Sequence, residues 1–213
     1  MFVKNRMTAN PYTVTSSDSI TEAYEIMSQH KIRRLPVVDN GRLVGIITDK
    51  ELQQVTPSKA TSLSIYEINY LLSKTTVGSV MTRDLVTVSQ DALLEEAAVL
   101  MRDNNIGALP VMDGDKLVGI ITETEVFDSF IDLLGFRDPG SRITVEAQDI
   151  PGMLSDLASV VSSFGVNVSH VAVYKGSGPT CDVVLRINST NTAEIEKKLI
   201  EHGFRVVHVL KNE

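Results

Sequence analysis

Tryptophan is absent from the 213 residues, and all aromatic side chains together make up only 5%. So few aromatic rings argue against a protein that binds a polynucleotide by stacking on its bases. The formal net charge of −7 points the same way, because proteins that bind nucleic acid usually present a basic face. We therefore expect no nucleic-acid partner.

Other absences limit the location and the chemistry. One cysteine, Cys181, excludes an intramolecular disulfide and suits a reducing compartment. No apolar run approaches the roughly 20 residues that span a bilayer, and the opening MFVKNRMTAN lacks the apolar region of a signal peptide. We expect no membrane association and a cytoplasmic location.

The motifs of common enzyme classes are also missing. The chain has no P-loop, no Rossmann glycine fingerprint, and no GxSxG or HExxH motif. The spacing of His170, His202 and His208 suggests no metal site. We expect no metal, no required cofactor and no enzymatic activity.

What the sequence does contain is one stretch that occurs twice. The copies read IRRLPVVDNGRLVGIITDKE from Ile32 and IGALPVMDGDKLVGIITETE from Ile106, 74 positions apart. The register holds without a gap upstream, where Met7-Thr8 matches Met81-Thr82. An internal repeat of this kind decides the fold and has to be recognised first.

Each copy predicts a β-hairpin followed by a helix. Two apolar runs rich in β-branched residues flank turn residues, Asp39-Asn40-Gly41 in the first copy. Upstream, Ile20, Ala23 and Met27 follow helical spacing, and Ser19 to Glu22 fits a capping box. Each unit therefore predicts the order strand, helix, strand, strand, helix.

The repeat resembles the CBS domain, which occurs as tandem pairs called Bateman modules. The resemblance covers residues 1 to about 134 and is carried by segments present in both copies, here in the first: Met7-Thr8, Thr13-Val14, Leu35-Pro36-Val37-Val38-Asp39 and Gly45-Ile46-Ile47-Thr48. It implies two repeats packed face to face, with clefts that bind AMP, ADP, ATP or S-adenosylmethionine.

The resemblance also implies which residues hold the nucleotide. Thr48 and Thr122 match a phosphate-binding threonine, with an N-cap of the following helix as the alternative reading. Glu51 and Glu125 stand where the family has a ribose-binding Asp. The remaining candidates share positions near the repeated strands: Thr13, Val14, Pro36, Thr87, Val88, Ala108 and Pro110.

A basic segment distinguishes the first copy from the second. His30, Lys31, Arg33 and Arg34 precede the first LPVV run, where nucleotide-binding members place phosphate-binding residues, and Arg34 matches best. The second copy is uncharged over residues 104–108. We expect one dominant nucleotide site per chain, with a solvated loop as the alternative interpretation of the basic residues.

Residues 53–76 join the repeats, and their apolar pattern predicts an amphipathic helix over about 64–73. Packing on the repeats is the ordinary interpretation, and a partner-binding helix is the alternative. With this segment the chain resembles the acetoin-utilisation B (AcuB) type. We predict five regions, namely a first CBS repeat, a connecting helix, a second CBS repeat, a linker and a third domain: 1–60, 61–76, 77–134, 135–140 and 141–213.

The last region has a different pattern. Alternating and helical apolar segments predict the order βαββαβ within about 70 residues, which is the ferredoxin-like plan. The predicted fold class is therefore α+β: two βαββα repeats related by a pseudo-two-fold axis, then a ferredoxin-like domain. Cys181 falls in an alternating strand and is expected in the core.

This region resembles the ACT domain, an amino-acid-sensing module. The resemblance is carried by DIPGML, from Asp149 to Leu154, and by GVNV around Asn167. It implies a small-molecule site, usually at a dimer interface, at these residues: Asp149, Gly152, Met153, Leu154 and Asn167. Ala147 stands where some amino-acid-binding members carry His, which is a departure from the pattern.

Together the two resemblances predict a regulatory protein. It would sense an adenine nucleotide in the CBS pair and an amino acid or related metabolite in the ACT domain, act as a homodimer, and signal to a regulated enzyme partner. The alternative is a structural or accessory dimer of a metabolic enzyme or transporter complex that binds no ligand.

Overall fold

The computed structural model describes residues 1–55, 66, 72, 74–176 and 178–212. The predicted helix over 64–73 falls almost entirely outside these residues. The chain divides into two compact units, Met1–Val126 and Phe127–Glu213.

The first unit contains both repeats, and the long helix, the hairpin and the closing helix follow the same order in each. Repeat 1 has a 3-10 turn at Val3–Asn5 and then β1 Thr8–Ala9, α1 Ile20–His30, β2 Arg34–Asp39, β3 Arg42–Thr48 and α2 Asp49–Val55. Repeat 2 has α3 Val77–Val80, β4 Val88–Ser89, α4 Leu94–Asn104, β5 Ala108–Asp113, β6 Lys116–Thr122 and α5 Glu123–Leu133, which continues past the boundary between the units. The predicted α+β repeat plan is confirmed.

The first hairpin forms because its turn residues adopt the left-handed backbone conformation. Asn40 and Gly41 have φ of 51° and 78°, the left-handed conformation that a tight two-residue hairpin turn requires. Asp39 then pairs with Arg42, and β2 runs antiparallel to β3 with one bulge. The hairpin of repeat 2 has the same register and the same bulge.

The predicted capping box of α1 is confirmed. The amide of Glu22 donates to Ser19 Oγ at 3.2 Å, and the amide of Ser19 donates to Glu22 Oε2 at 2.9 Å. The helix ends at Lys31, whose φ of 54° is left-handed, and α4 ends in the same way at Asn105. These caps define the start of α1 and the ends of α1 and α4.

Each repeat has its own hydrophobic core, built from equivalent positions. Eight pairs of buried residues match across the repeats: Val14/Val88, Ile20/Leu94, Ala23/Ala97, Met27/Met101, Leu35/Leu109, Val37/Val111, Ile47/Ile121 and Val77/Val3. The last pair is crossed, because Val77 belongs to the core of repeat 1 and Val3 to the core of repeat 2.

The segments that precede the repeats are therefore exchanged. Strand β1 pairs antiparallel with β6 of the other repeat, with Thr8 opposite Ile120. In the equivalent place Thr82 forms a bridge with Ile46. The sequence pattern did not predict this exchange, which ties the two repeats into one unit.

The second unit has the predicted ferredoxin-like order. Its elements are β7 Gly140–Gln148, α6 Met153–Ser162, β8 Val168–Lys175, β9 Thr180–Ile187, α7 Ala193–Glu201 and β10 Arg205–Asn212. The four strands form one antiparallel sheet in the order β10-β7-β9-β8. One face of the sheet packs on the helices through Ile143, Val145, Leu157 and Leu199, and Cys181 is buried there, as expected.

A buried arginine holds the segment that leads into β7. Arg186 is 1% exposed, and its Nη2 donates to the carbonyl of Asp138. The side chain of Asn212 donates to the same carbonyl at 3.0 Å. The entry to the sheet is thus fixed by side chains from two strands.

Candidate functional site: two clefts between the repeats

Two clefts lie between the repeats. The first, cleft A, encloses about 510 Å³. It is formed by the entry segment and basic loop of repeat 1 together with the end of the hairpin of repeat 2: Thr8, Ala9, Asn10, Pro11, Tyr12, Ile32, Arg33, Arg34, Ile120, Thr122, Thr124 and Glu125. The exchange of β1 places these segments side by side.

The second, cleft B, encloses about 380 Å³ and is built from the equivalent segments with the repeats interchanged. Its lining is Ile46, Thr48, Asp49, Lys50 and Glu51 of repeat 1, then Thr82, Asp84, Leu85, Val86, Asn105, Ile106, Gly107, Ala108 and Pro110 of repeat 2, and also Arg34. The clefts are thus related by the internal repeat.

The side chains at equivalent positions differ in charge. Cleft A has Arg33 and Arg34 where cleft B has Gly107 and Ala108. Among the described lining residues, two arginines face one glutamate in cleft A, whereas Arg34 and Lys50 face three carboxylates in cleft B. Cleft A is therefore the better environment for a phosphate.

Arg34 lines both clefts. Its guanidinium lies beside Gly107, where an added Cβ would come within 2.5 Å of Arg34 Nη2 and 3.0 Å of Glu123 Oε2. The missing side chain at Gly107 provides the space that the guanidinium occupies.

The two threonine–glutamate pairs form helix caps. The amide of Thr48 donates to Glu51 Oε2 at 2.9 Å, and the Thr48 hydroxyl donates to the same oxygen. Thr48 Oγ1 also accepts from the amide of Lys50 at 3.2 Å. Thr122 and Glu125 repeat the first two contacts. The N-cap interpretation of Thr48 is confirmed, and one carboxylate oxygen of each glutamate is engaged by its own cap.

Glu125 also contacts the entry segment of repeat 1 in cleft A. The Thr8 hydroxyl donates to Glu125 Oε1 at 3.4 Å. Both residues line the cleft, so this carboxylate joins the entry segment of repeat 1 to the helix start of repeat 2.

Two of the predicted nucleotide contacts have buried side chains. Val14 and Val88 belong to the cores of their repeats. Val14 also uses its backbone within repeat 1, where its amide donates to Pro36 and its carbonyl accepts from Val38. Both valines therefore have a structural role, and they stay predictions as nucleotide contacts.

Other predicted residues lie outside the described linings of the clefts. Thr13 and Thr87 are exposed and Pro36 is buried. Lys31 is exposed and provides the left-handed end of α1, which explains its position without a ligand. These residues stay predictions as nucleotide contacts, whereas Ala108 and Pro110 do line cleft B.

Tyr12 is a lining residue that the sequence reasoning missed. Its ring stacks on His30 with centroids 3.8 Å apart and an interplanar angle of 19°. The equivalent residue in cleft B is Val86. The sequence carried no signal for Tyr12, because its place in cleft A follows from the pairing of β1 with β6, which the sequence pattern did not predict.

The predicted site in the second unit is only partly accessible. Met153 is 7% exposed and belongs to the core, so its side chain has a structural role and its ligand contact stays a prediction. Asp149 and Asn167 are exposed, as is Leu154. The amide of Asn167 donates to Asn188 Oδ1 at 2.9 Å, so this residue also connects the loop to the end of β9.

Gly152 has open space on its Cβ side and a φ of 91°. The open space agrees with close approach of a ligand. The left-handed backbone is a second reason for glycine, because other residues are strained there. A larger residue here would therefore strain the backbone as well as fill the space beside it.

The described residues lack two kinds of feature. They contain no group of three or more His, Cys, Asp or Glu side chains placed to hold a metal ion. Within the same residues, every helix is too short or too polar to cross a membrane.

Comparison with family models identifies both units. The CBS domain model matches residues 3–56 and 77–132. The model described as a TTHA0829-like ACT domain matches residues 139–210. A CBS domain-containing protein of Dictyostelium discoideum is 35% identical over 136 residues, covering 63% of this chain and 94% of that protein.

Solved structures of CBS-domain proteins are similar to the first part of this chain. A putative acetoin utilization protein (AcuB) from Vibrio cholerae is 32% identical with a TM-score of 0.54, covering 65% of this chain and 96% of its own. CBSX2 in complex with AMP is 31% identical with a TM-score of 0.51, at 62% and 96% coverage. The CBS domain pair of protein MJ0100, in complex with 5′-methylthioadenosine and S-adenosylmethionine, is 32% identical with a TM-score of 0.51, at 61% and 95% coverage.

Proposed function

We propose, from the premise that this chain belongs to the CBS-domain family and carries an ACT-like domain after its CBS pair, that it is a regulatory protein which senses an adenosine-containing ligand. The observation that carries the proposal is cleft A, where Arg33 and Arg34 meet Thr122 and Glu125 of the other repeat. Cations, a hydroxyl and a carboxylate are then brought together in one cavity.

The size and lining of cleft A suit a nucleotide. Its volume of about 510 Å³ lies within the range typical of small-molecule sites, roughly 300–1,000 Å³. Ile32 and Ile120 supply apolar surface, and Tyr12 supplies an aromatic ring for a base. Arginine suits the phosphate because its planar fork donates two hydrogen bonds at once.

The choice of ligand follows from charge and from similar proteins. CBSX2 was solved with AMP, and the MJ0100 pair with 5′-methylthioadenosine and S-adenosylmethionine. The two arginines of cleft A favour a phosphate-bearing member of this class, so we propose AMP, ADP or ATP over the uncharged or cationic adenosines. Glu125 Oε1 is the atom we assign to the ribose hydroxyls.

The ACT-like domain supports a second input. We propose that an amino acid or related metabolite binds beside Gly152, with Asp149, Leu154 and Asn167 around it. The support is the DIPGML turn and the open space at Gly152. Substitution of Asn167 by alanine is a cleaner test than a change at Gly152, because Asn167 does not occupy a left-handed backbone conformation.

A sensor of this kind would transmit ligand binding to a partner protein. We propose a homodimer that acts on a regulated enzyme in the cytoplasm, and the similarity to AcuB makes acetoin utilisation one candidate pathway.

A thermal-shift panel tests the proposal. The full chain is heated with AMP, ADP, ATP, adenosine, 5′-methylthioadenosine and S-adenosylmethionine, and separately with the common amino acids. A ligand that binds only the native state raises the melting temperature, so AMP, ADP or ATP should raise it by several degrees when in large excess. GMP and inorganic phosphate serve as matched controls for the base and the phosphate.

One observation favours the alternative of an accessory dimer that binds no ligand. Glu51 and Glu125 each commit one oxygen to a helix cap, which leaves fewer acceptors for a ribose. The alternative predicts an unchanged melting temperature with every compound of the panel. A shift with any adenosine ligand excludes it.

A further inference from the structure

We propose that Arg34 is one cation shared by two clefts, so that a phosphate bound in cleft A weakens the binding of a second phosphate in cleft B. The inference rests on the proposed function and concerns how occupancy of one cleft regulates binding in the other. It starts from the finding that Arg34 lines both cavities.

The internal repeat explains why one side chain reaches both clefts. Arg34 pairs with Thr48 across the first hairpin, and Thr48 lines cleft B. The equivalent residue Ala108 pairs with Thr122, which lines cleft A. Positions 34 and 108 thus stand between the two cavities, and only one of them carries a guanidinium.

Gly107 shows where that guanidinium rests. An added Cβ at Gly107 would lie 2.5 Å from Arg34 Nη2, and Gly107 lines cleft B. Its φ lies outside the left-handed region, so the backbone does not require glycine. The space itself is what the glycine provides, and Arg34 uses it on the cleft B side.

Movement of Arg34 toward a phosphate in cleft A changes the charge balance of cleft B. Without Arg34, the described lining of cleft B has Lys50 as its remaining cation, against Asp49, Glu51 and Asp84. A second phosphate would then meet a surplus of carboxylates and lack its bidentate donor. Because coupling between two sites is reciprocal, a phosphate in cleft B must weaken cleft A by the same factor.

The test needs a reporter for each cleft, and the absence of tryptophan makes this simple. Tyr12→Trp places a fluorophore in cleft A, and Leu85→Trp places one in cleft B. In the Leu85→Trp chain, Ala9→Phe adds bulk to the lining of cleft A and serves as a plug. Each variant is titrated with AMP, with adenosine as the probe that lacks the phosphate, and circular dichroism confirms folding.

We expect the plug to tighten AMP binding in cleft B, because Arg34 then stays there. The gain should be roughly tenfold to hundredfold, the range for a hydrogen bond to a charged group. Adenosine binding in cleft B should not change with the plug. In an Arg34→Ala background the plug should have no effect on AMP either. An unchanged AMP affinity on plugging, or a gain that persists without Arg34, overturns the proposal.

A second variant keeps the test decisive if the plugged chain does not fold. Gly107→Ala takes the space of Arg34 Nη2, so AMP should bind more weakly in cleft B and no more weakly in cleft A. An equal loss of AMP affinity in both clefts, or no loss in either, contradicts the proposal that Arg34 is shared. Failure of the proposed function has a different signature: neither reporter responds to AMP or adenosine in the otherwise unmodified chain.

Discussion

The sulfur of Met7 lies against Gly119, so closely that an added Cβ on the glycine would be 2.5 Å from it. The contact joins the entry segment of repeat 1 to the hairpin of repeat 2. Met81 and Gly45 form the same contact with the repeats interchanged. These two contacts hold the exchanged segments that form both clefts.

The first prediction concerns this exchange. Gly45→Ala should destabilise the chain by roughly 1–3 kcal/mol, because the added methyl meets Met81 and the carbonyl of Thr82 at 3.2 Å. Denaturant unfolding of the full chain measures the loss. Gly178→Ala is the matched control, since an added Cβ there has no heavy atom within 4 Å. A Gly45→Ala chain as stable as this control would show that the close contact between Gly45 and Met81 does not contribute to stability.

The second prediction concerns the helix cap at the edge of cleft B. Thr48→Ala should cost about 0.5–2 kcal/mol, because the amide of Lys50 loses its acceptor. Thr48→Ser keeps the hydroxyl and should retain most of the stability. Equilibrium unfolding measures the stability of both variants. Equal losses of stability in the two would mean that the methyl group of Thr48, rather than its hydroxyl cap, matters at this position.

The third prediction concerns Cys181. Burial is the main cause that raises the pKa of its thiol, and the nearby charges of Asp149 and Asp182 add to it. Because the thiolate is the reactive form, iodoacetamide should label the native chain very slowly at pH 8 and rapidly in denaturant. Mass spectrometry reads one added group, since the chain has one cysteine. Rapid labelling of the native chain would contradict a closed core in the second unit.

The fourth prediction concerns pH. Hydrogen bonds from the side chain and then the backbone of Ser16 lower the pKa of Asp39 below its ordinary 3.8. A lowered native pKa means that the charged form stabilises the fold above pH 3.8 and that this contribution is lost as the pH falls through the native value. Asp39→Asn should therefore be less stable than the parent at pH 7, with a difference that shrinks below pH 3.8. A difference that stays constant down to pH 2 would exclude this cause.

Much of the fold could be predicted because the local signals agree with the final structure. Asn40-Gly41 requires a hairpin, and Ser19 with Glu22 caps a helix whatever surrounds them. The exchange of entry segments was not predictable in the same way. The copies are so alike that Val3 fits the core of either repeat, and pairing within or between repeats leaves the same sequence pattern.

The site was predicted less completely than the fold. Arg33 and Arg34 do lie in a cleft with Thr122 and Glu125, and the sequence could not say which repeat would supply that glutamate. The sharing of Arg34 was missed because it depends on the space at Gly107, which is a property of two distant residues. Val14 and Met153 were assigned to ligands by their motifs, whereas their side chains fill cores.

Calorimetric titration of the full chain with AMP tests the central claim most directly. We predict one tight site per chain, weakened roughly tenfold to hundredfold by Arg34→Ala, since a hydrogen bond to a charged group is lost. Arg42→Ala is the matched control, because Arg42 is exposed on the first hairpin and lies outside the described linings of both clefts. Its affinity should equal that of the parent. An absence of binding heat, or an Arg34→Ala chain that binds AMP as tightly as the parent, would contradict the assignment of cleft A as the nucleotide site.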